Sequence, residues 1–187
     1  MVLASLVGAL IVAGCGDDEG ADGDPTSTTT TSQVATTSSS TTTAVPEREP
    51  STTTTAFDPA TLEGEVEAAY LRSWDVYADA VYHLELDEDA LAEVYAGSSF
   101  GTRREEIQQR MAEGRAALVR LDHDYDITIV DPDTASVIDH FVNHQVLIDP
   151  ATKEPIEDDP NEVVLVNFQL KRIDGTWKVT LIQRIAS

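Results

Sequence analysis

The chain changes character near residue 57, and that change bounds what can fold. Between Thr26 and Thr55, 20 of 30 residues are Ser or Thr. A segment with so few apolar side chains does not bury enough surface to offset its ordering entropy. About 130 residues remain from Phe57 onward, the size of one domain whose core buries around two-thirds of the unfolded surface. Such a core needs neither metal nor disulfide, and the single cysteine, Cys15, leaves no internal disulfide to form.

Charge narrows the function classes. From Phe57 onward there are 27 acidic and 11 basic residues, a balance of −16 within a chain at −22. Phosphate binding depends on clustered Lys and Arg that release counterions, so nucleic acid is not an expected partner. The ordinary reading of such a surface is solubility rather than recruitment of a cation.

Val2 to Ala13 is apolar and uncharged, about a dozen residues where a spanning helix requires roughly twenty. It reads as the hydrophobic region of a signal peptide. Val12-Ala13-Gly14-Cys15 then resembles the bacterial lipobox, which implies cleavage before Cys15 and diacylation of its sulfur. It departs from the usual signal in having no Lys or Arg ahead of the apolar run. Acyl chains contribute about 0.8 kcal/mol per buried methylene, so two or three on Cys15 would hold the protein to a membrane. The expected organisation is a lipoprotein signal over 1–15, a disordered tether over 16–56 and a folded domain over 57–187, lipid-anchored at the extracytoplasmic face of the cell membrane. A tether of about 40 residues has a root-mean-square reach of roughly 35 Å. Its Ser, Thr and Pro content also suits O-glycosylation.

Within the domain, Asp58-Pro59 reads as an N-cap followed by Pro at the first helical position. Leu62, Val66, Ala69, Tyr70, Trp74, Tyr77 and Val81 recur at spacings of three and four, which predicts an amphipathic helix to about His83. Glu63, Glu65, Glu67, Arg72, Asp75 and Asp79 occupy its predicted solvent face. A second helix is expected from about Glu88 to Tyr95, ending at Gly97. A third is expected from near Thr102 to Val119, burying Ile107, Met111, Leu118 and Val119. The period then changes to strands over Tyr125–Val130, Ala135–Ile148, Val163–Ile173 and Trp177–Ile185, with turns at Pro132 and at Asp174-Gly175. Helices followed by an antiparallel meander predict an α+β fold, three N-terminal helices packed on a curved four-stranded sheet.

This order of elements, closing on Asp174-Gly175-Thr176-Trp177-Lys178-Val179, resembles the nuclear transport factor 2-like cone, whose superfamily includes SnoaL-like proteins and ketosteroid isomerases. The resemblance spans nearly all of 57–187. It implies a conical pocket between helices and sheet and, often, a homodimer. Enzymes, binding subunits and export-associated modules all share the fold, so it specifies architecture better than activity.

On the strand over Ala135–Ile148, alternation places Val137, Asp139, Phe141, Asn143, Gln145 and Leu147 on one face and Ile138, His140, Val142, His144, Val146 and Ile148 on the other. His140 and His144 lie roughly 13 Å apart on a strand, too far to share one ion. Asp122-His123-Asp124-Tyr125-Asp126 echoes a calcium loop but has Ile127 where the sharp turn needs Gly. Glu157-Asp158-Asp159 with Glu162 reads as a solvated loop. The domain has no Gly-rich phosphate loop, nucleophile elbow or cysteine. No metal, cofactor or catalytic assignment follows. Tyr70, Trp74, Tyr77, Asp139, His140 and His144 are the candidate pocket-lining residues. In enzymes of the resembled superfamily, a carboxylate or histidine on the sheet and a polar aromatic residue on a helix carry proton transfer. The expected function is a lipid-anchored binding or assembly module, partnered by the membrane and by a second copy or an envelope protein. The alternative is a small SnoaL- or ketosteroid-isomerase-like enzyme acting on an apolar carbonyl compound.

Overall fold

The computed structural model describes residues 52–53, 57–157 and 159–185. Cys15, the signal segment and all of the tether except 52–53 lie outside them.

The first helix, α1, spans Leu62–His83. Its N-cap is Thr61, whose side chain accepts from the Gly64 amide, rather than the expected Asp58. Asp58 folds a turn instead, with its carboxylate accepting from Ala60 N and its carbonyl from Thr61 N, which moves the helix start three residues along. Gly64 is required here, because a Cβ at that position would sit 2.1 Å from the Asp58 carbonyl oxygen. The helix ends at Leu84 in the left-handed region.

Helix α2 covers Glu88–Val94, capped by Asp87, and α3 covers Gly97–Glu113. Two expectations for α3 are corrected. It begins at Gly97, not near Thr102, because tertiary bonds replace the missing cap: Ala96 N and Ser99 Oγ both donate to the Val179 carbonyl, and Ser98 Oγ donates to that of Thr180. It ends at Glu113, not Val119, because Gly114 takes the left-handed C-cap conformation that terminates helices. Ile107 is buried on α3, whereas Met111 is exposed.

The described residues form eight strands, the first ahead of α1 and the others after α3: β1 (Thr52–Thr53), β2 (Ala116–Leu118), β3 (Leu121–His123), β4 (Tyr125–Asp131), β5 (Thr134–Asn143), β6 (Val146–Ile148), β7 (Glu162–Ile173) and β8 (Thr176–Arg184). The main sheet has six strands instead of four, in the order β1-β3-β5-β7-β8 with β4 also on β5. Two causes account for the difference. The strand opposite β5 is broken at Asp124 into β3 and β4, and β1 adds a short parallel pairing to β3. The expected single strand Ala135–Ile148 is likewise broken. His144 N turns to the Arg120 carbonyl and Asn143 Oδ1 accepts from Gln145 N, and β6 leaves to pair antiparallel with β2 in a second sheet.

The result is an α+β fold with three helices and antiparallel sheets, consistent with the cone named above. Alternation holds along β5: Val137, Asp139 and Phe141 are buried while Ile138 and His140 are exposed. With Phe168, Leu170 and Val179 from β7 and β8 they form the inner face, packed into one core with Val66, Tyr70, Tyr77 and Val81 of α1.

Candidate functional site

The inner face carries a polar cluster within this apolar core. Asp139 enters it from β5 and is fully buried. Its Oδ2 accepts from the Tyr70 hydroxyl at 2.5 Å and lies 2.6 Å from His123 Nδ1, and its Oδ1 accepts from the Asp124 amide at 3.1 Å. One carboxylate thus ties α1 and β3 to β5 and closes the backbone break between β3 and β4. Trp74, one turn beyond Tyr70, donates its indole N–H to the Tyr70 oxygen at 2.8 Å. Burial, followed by the negative Asp139 beside it, holds the Tyr70 phenol well above its usual pKa, so the phenol stays a proton donor.

Aromatic rings enclose the cluster. Tyr70 packs edge-on to Phe168 at 4.9 Å between centroids, and Trp74 packs edge-on to Phe141 at 5.5 Å and to Phe168 at 5.8 Å. Such contacts leave the buried polar groups little choice but one another, since interior packing approaches that of organic crystals.

Further polar side chains flank the cluster on two sides. Glu67 is buried instead of facing solvent as its helical position predicted; Oε1 accepts from the Tyr125 hydroxyl at 2.5 Å and Oε2 from the Phe57 amide at 2.9 Å. On the other side, Tyr77 donates to Glu106 Oε1, and Arg103 Nη1 donates to Glu106 Oε2 at 2.8 Å. The Arg103 guanidinium stacks 4.2 Å above the Tyr77 ring and 5.0 Å from that of Trp74. Burial also raises the Tyr77 pKa, with the Glu106 charge adding to it.

Of the six candidates, the structure brings four together: Tyr70, Trp74 and Asp139 in the central cluster, with Tyr77 against Trp74 at 5.9 Å. The two histidines are elsewhere. His140 is exposed on the outer sheet face. His144 lies at the break after β5, between Asp159 Oδ2 (2.8 Å from Nδ1) and Asp122 Oδ2 (3.2 Å from Nε2). Among the described residues, no group of three or more His, Cys, Asp or Glu is arranged to hold a metal ion.

His123, Glu67 and Tyr125 were missed. A signal existed for two of them: Leu121, His123, Tyr125, Ile127 and Ile129 alternate with Asp122, Asp124, Asp126, Thr128 and Val130, a period of two that puts His123 and Tyr125 on the apolar side.

Chemically, a tyrosine, a carboxylate and an imidazole within hydrogen-bond reach form a proton-transfer set. Access is what the cluster lacks: Tyr70 and Asp139 expose none of their surface and His123 only 2%. Clefts open elsewhere among the described residues. One, of about 450 Å³, lies beside α1 and α2 and includes Asp75, Val76, Leu86 and Leu91 in its lining; another borders the β7–β8 turn near Arg172 and Trp177. Neither is lined by Tyr70, Asp139 or His123.

No family model matches the chain, and no curated protein matches it. Among solved structures, the intermembrane space region of the chloroplast protein ARC6 superposes with a TM-score of 0.53 at 17% identity, covering 69% of this chain and 100% of that one. A protein from Kribbella flavida gives 0.46 at 16% identity over 65% of this chain and 90% of its own. An NTF2-like protein from Cytophaga hutchinsonii gives 0.42 at 18% over 65% and 98%. At such identities the first of these alignments speaks for a shared fold and nothing finer.

Proposed function

We propose that residues 57–187 form an NTF2-like module for binding or assembly, presented at the extracytoplasmic face of a cell membrane by acylation of Cys15 and a Ser/Thr-rich tether. The observation that carries the non-catalytic part is the filled interior. Where an enzyme of this architecture needs a cavity beside its acid and base, Asp139, Tyr70 and His123 contact one another and are sealed by Trp74, Phe141 and Phe168. Buried polar groups that hydrogen-bond one another in this way tie distant elements of the fold together. The anchor rests on the apolar Val2–Ala13 run and the small residues before Cys15.

The enzymatic alternative draws on one specific observation, the 2.5 Å bond between Tyr70 and Asp139 beside an imidazole, which has the composition of an acid–base pair for a carbonyl substrate. For it to operate, the aromatic seal must open.

Two measurements test the proposal. Cys15→Ser should move the protein from the membrane to the soluble fraction; unchanged fractionation overturns the anchor. Addition of millimolar apolar ketones should leave the Trp74 indole and His123 ring resonances unmoved; saturable shifts there would establish the enzyme-like pocket instead.

A further inference from the structure

The cleft of about 450 Å³ beside α1 and α2 owes its shape to a turn. The Ala80 carbonyl, near the end of α1, accepts from both Leu84 N and Glu85 N, and Leu84 takes the left-handed conformation at φ 54°. The chain therefore doubles back, and Glu85-Leu86-Asp87 forms a wall beside Val76, Asp79 and Ala80 of α1. The floor is apolar. Leu91 of α2 and Ile107 of α3 are buried there, and Val76, Ala80 and Leu86 pack against the main core as its half-buried margin.

The rim is acidic. Asp75, Asp79, Glu85 and Asp87 line it against one cation, Arg72, which Glu93 holds at 2.7 Å. Asp87 caps α2 by accepting from Ala90 N at 2.9 Å, so the charge of the cleft rests on Asp75, Asp79 and Glu85, of which Asp79 also stands 3.8 Å from His83. Carboxylates alone would mark no more than a solvated face. Above an apolar floor they do more, because low-dielectric walls focus the field of a domain that already draws cations at −16. The carbonyl end of the 22-residue α1 adds partial negative charge at the same place.

We propose that this cleft binds an amphiphilic organic cation: an ammonium group on an apolar body of about a dozen non-hydrogen atoms. This rests on the binding reading above and names its ligand class, at a site apart from the sealed cluster. Volume sets the size of the occupant. Small-molecule sites run from about 300 to 1,000 Å³, whereas a partner's helix is about 10 Å across with its side chains and needs a longer groove. Chemistry sets its kind. A neutral apolar molecule would cover the carboxylates without pairing them, at a desolvation cost. An anion would be repelled, and a bare metal ion would find no cage, since no group of three or more His, Cys, Asp or Glu among the described residues is arranged to hold one.

The test is a methyl NMR titration of the full chain carrying Cys15→Ser, at pH 7, where an alkylammonium keeps its proton as lysine does. The probe is 4-phenylbutylamine, compared with 4-phenylbutanol, which lacks the charge, and with putrescine, which lacks the apolar ring. Saturable shifts of the Val76 and Leu86 methyls are expected, with a dissociation constant near or below about 1 mM for a ligand of this size. The alcohol should bind at least about tenfold more weakly and putrescine should leave the methyls unmoved. Asp79→Asn with Glu85→Gln should weaken the amine roughly tenfold, while Glu105→Gln with Asp126→Asn, which removes the same charge outside the cleft, should leave it within about twofold. Should the first pair fold poorly because His83 loses Asp79, Glu85→Gln alone carries the comparison, with a loss of about threefold. No saturable shift up to about 10 mM, equal binding of the alcohol or putrescine, or equal losses from the two double variants overturns the inference. Such a failure leaves the filled interior and the anchor standing, whereas ketone-induced shifts at Trp74 would remove the filled interior without touching the cleft.

Discussion

The Tyr70 hydroxyl and the Asp139 carboxylate meet at 2.5 Å across 69 residues of chain, joining the long helix to the central strand inside the core. Removing either partner should be costly in unequal measure. Tyr70→Phe takes one donor from a buried charged acceptor, a loss of about 1.5–3 kcal/mol. Asp139→Ala deprives Tyr70, His123 and the Asp124 amide of their common acceptor at once and is expected to cost about 3–5 kcal/mol. Asp139→Asn, which keeps an acceptor, should fall between wild type and Asp139→Ala. Urea denaturation gives the order; equal midpoints for wild type and Asp139→Ala would show that the cluster holds nothing together.

Alkaline titration reports on the same burial. Burial is the leading cause that raises the pKa of Tyr70, Tyr77 and Tyr95 above the ordinary tyrosine value. The folded state therefore binds these protons more tightly than the unfolded chain. Stability is unaffected below about pH 10, the unfolded tyrosine value, and declines as pH rises beyond it. Absorbance near 295 nm should show these three of the five tyrosines ionising in one cooperative step that coincides with loss of circular dichroism. Smooth ionisation of all five with the spectrum intact would contradict it.

His144 follows the same sign at milder pH. Its hydrogen bond to Asp159, then its proximity to Asp122, raises its pKa, and both ring nitrogens face carboxylate oxygens. The folded state thus favours the imidazolium: its contribution is fully present below the ordinary histidine value near 6.5 and fades as pH rises through the elevated folded value. A proton NMR titration should place His144 above an unstructured histidine, and Asp159→Asn should lower it. No change on that substitution would mean that the ion pair does not form in solution.

Gly64→Ala tests the docking of the domain's first residues. An added Cβ meets the Asp58 carbonyl at 2.1 Å and Pro59 Cα at 2.8 Å, both backbone, so the turn must move. A loss of about 1–3 kcal/mol is expected, read as a lower thermal midpoint; Gly101→Ala, with open space around its Cβ, is the control that should be nearly neutral.

Much of this architecture was legible because it is local. Spacings of three and four from Val66 to Val81 gave α1, and alternation along β5 turned Asp139 inward beside Val137 and Phe141. Pro132 and Asp174-Gly175 marked their turns. What escaped depends on partners far along the chain. Glu67 occupies a polar helical position, and only Tyr125 and the Phe57 amide make its burial tolerable. The Gly-Ser-Ser start of α3 is held by β8, about 80 residues away. His123 was obscured because Asp122, Asp124 and Asp126 gave its strand the look of a loop, although every second residue there is apolar or aromatic.

Tyr70, Asp139 and His123 fill the interior instead of lining a cavity. Hydrogen exchange at the Trp74 indole N–H, which donates to the Tyr70 oxygen at 2.8 Å, tests it most directly. A sealed interior predicts exchange over hours, at a rate set by opening of the whole domain and therefore tracking its global stability. Exchange within seconds, unaffected by changes in global stability, would mean that solvent reaches the cluster through an open pocket and that the interior is not filled.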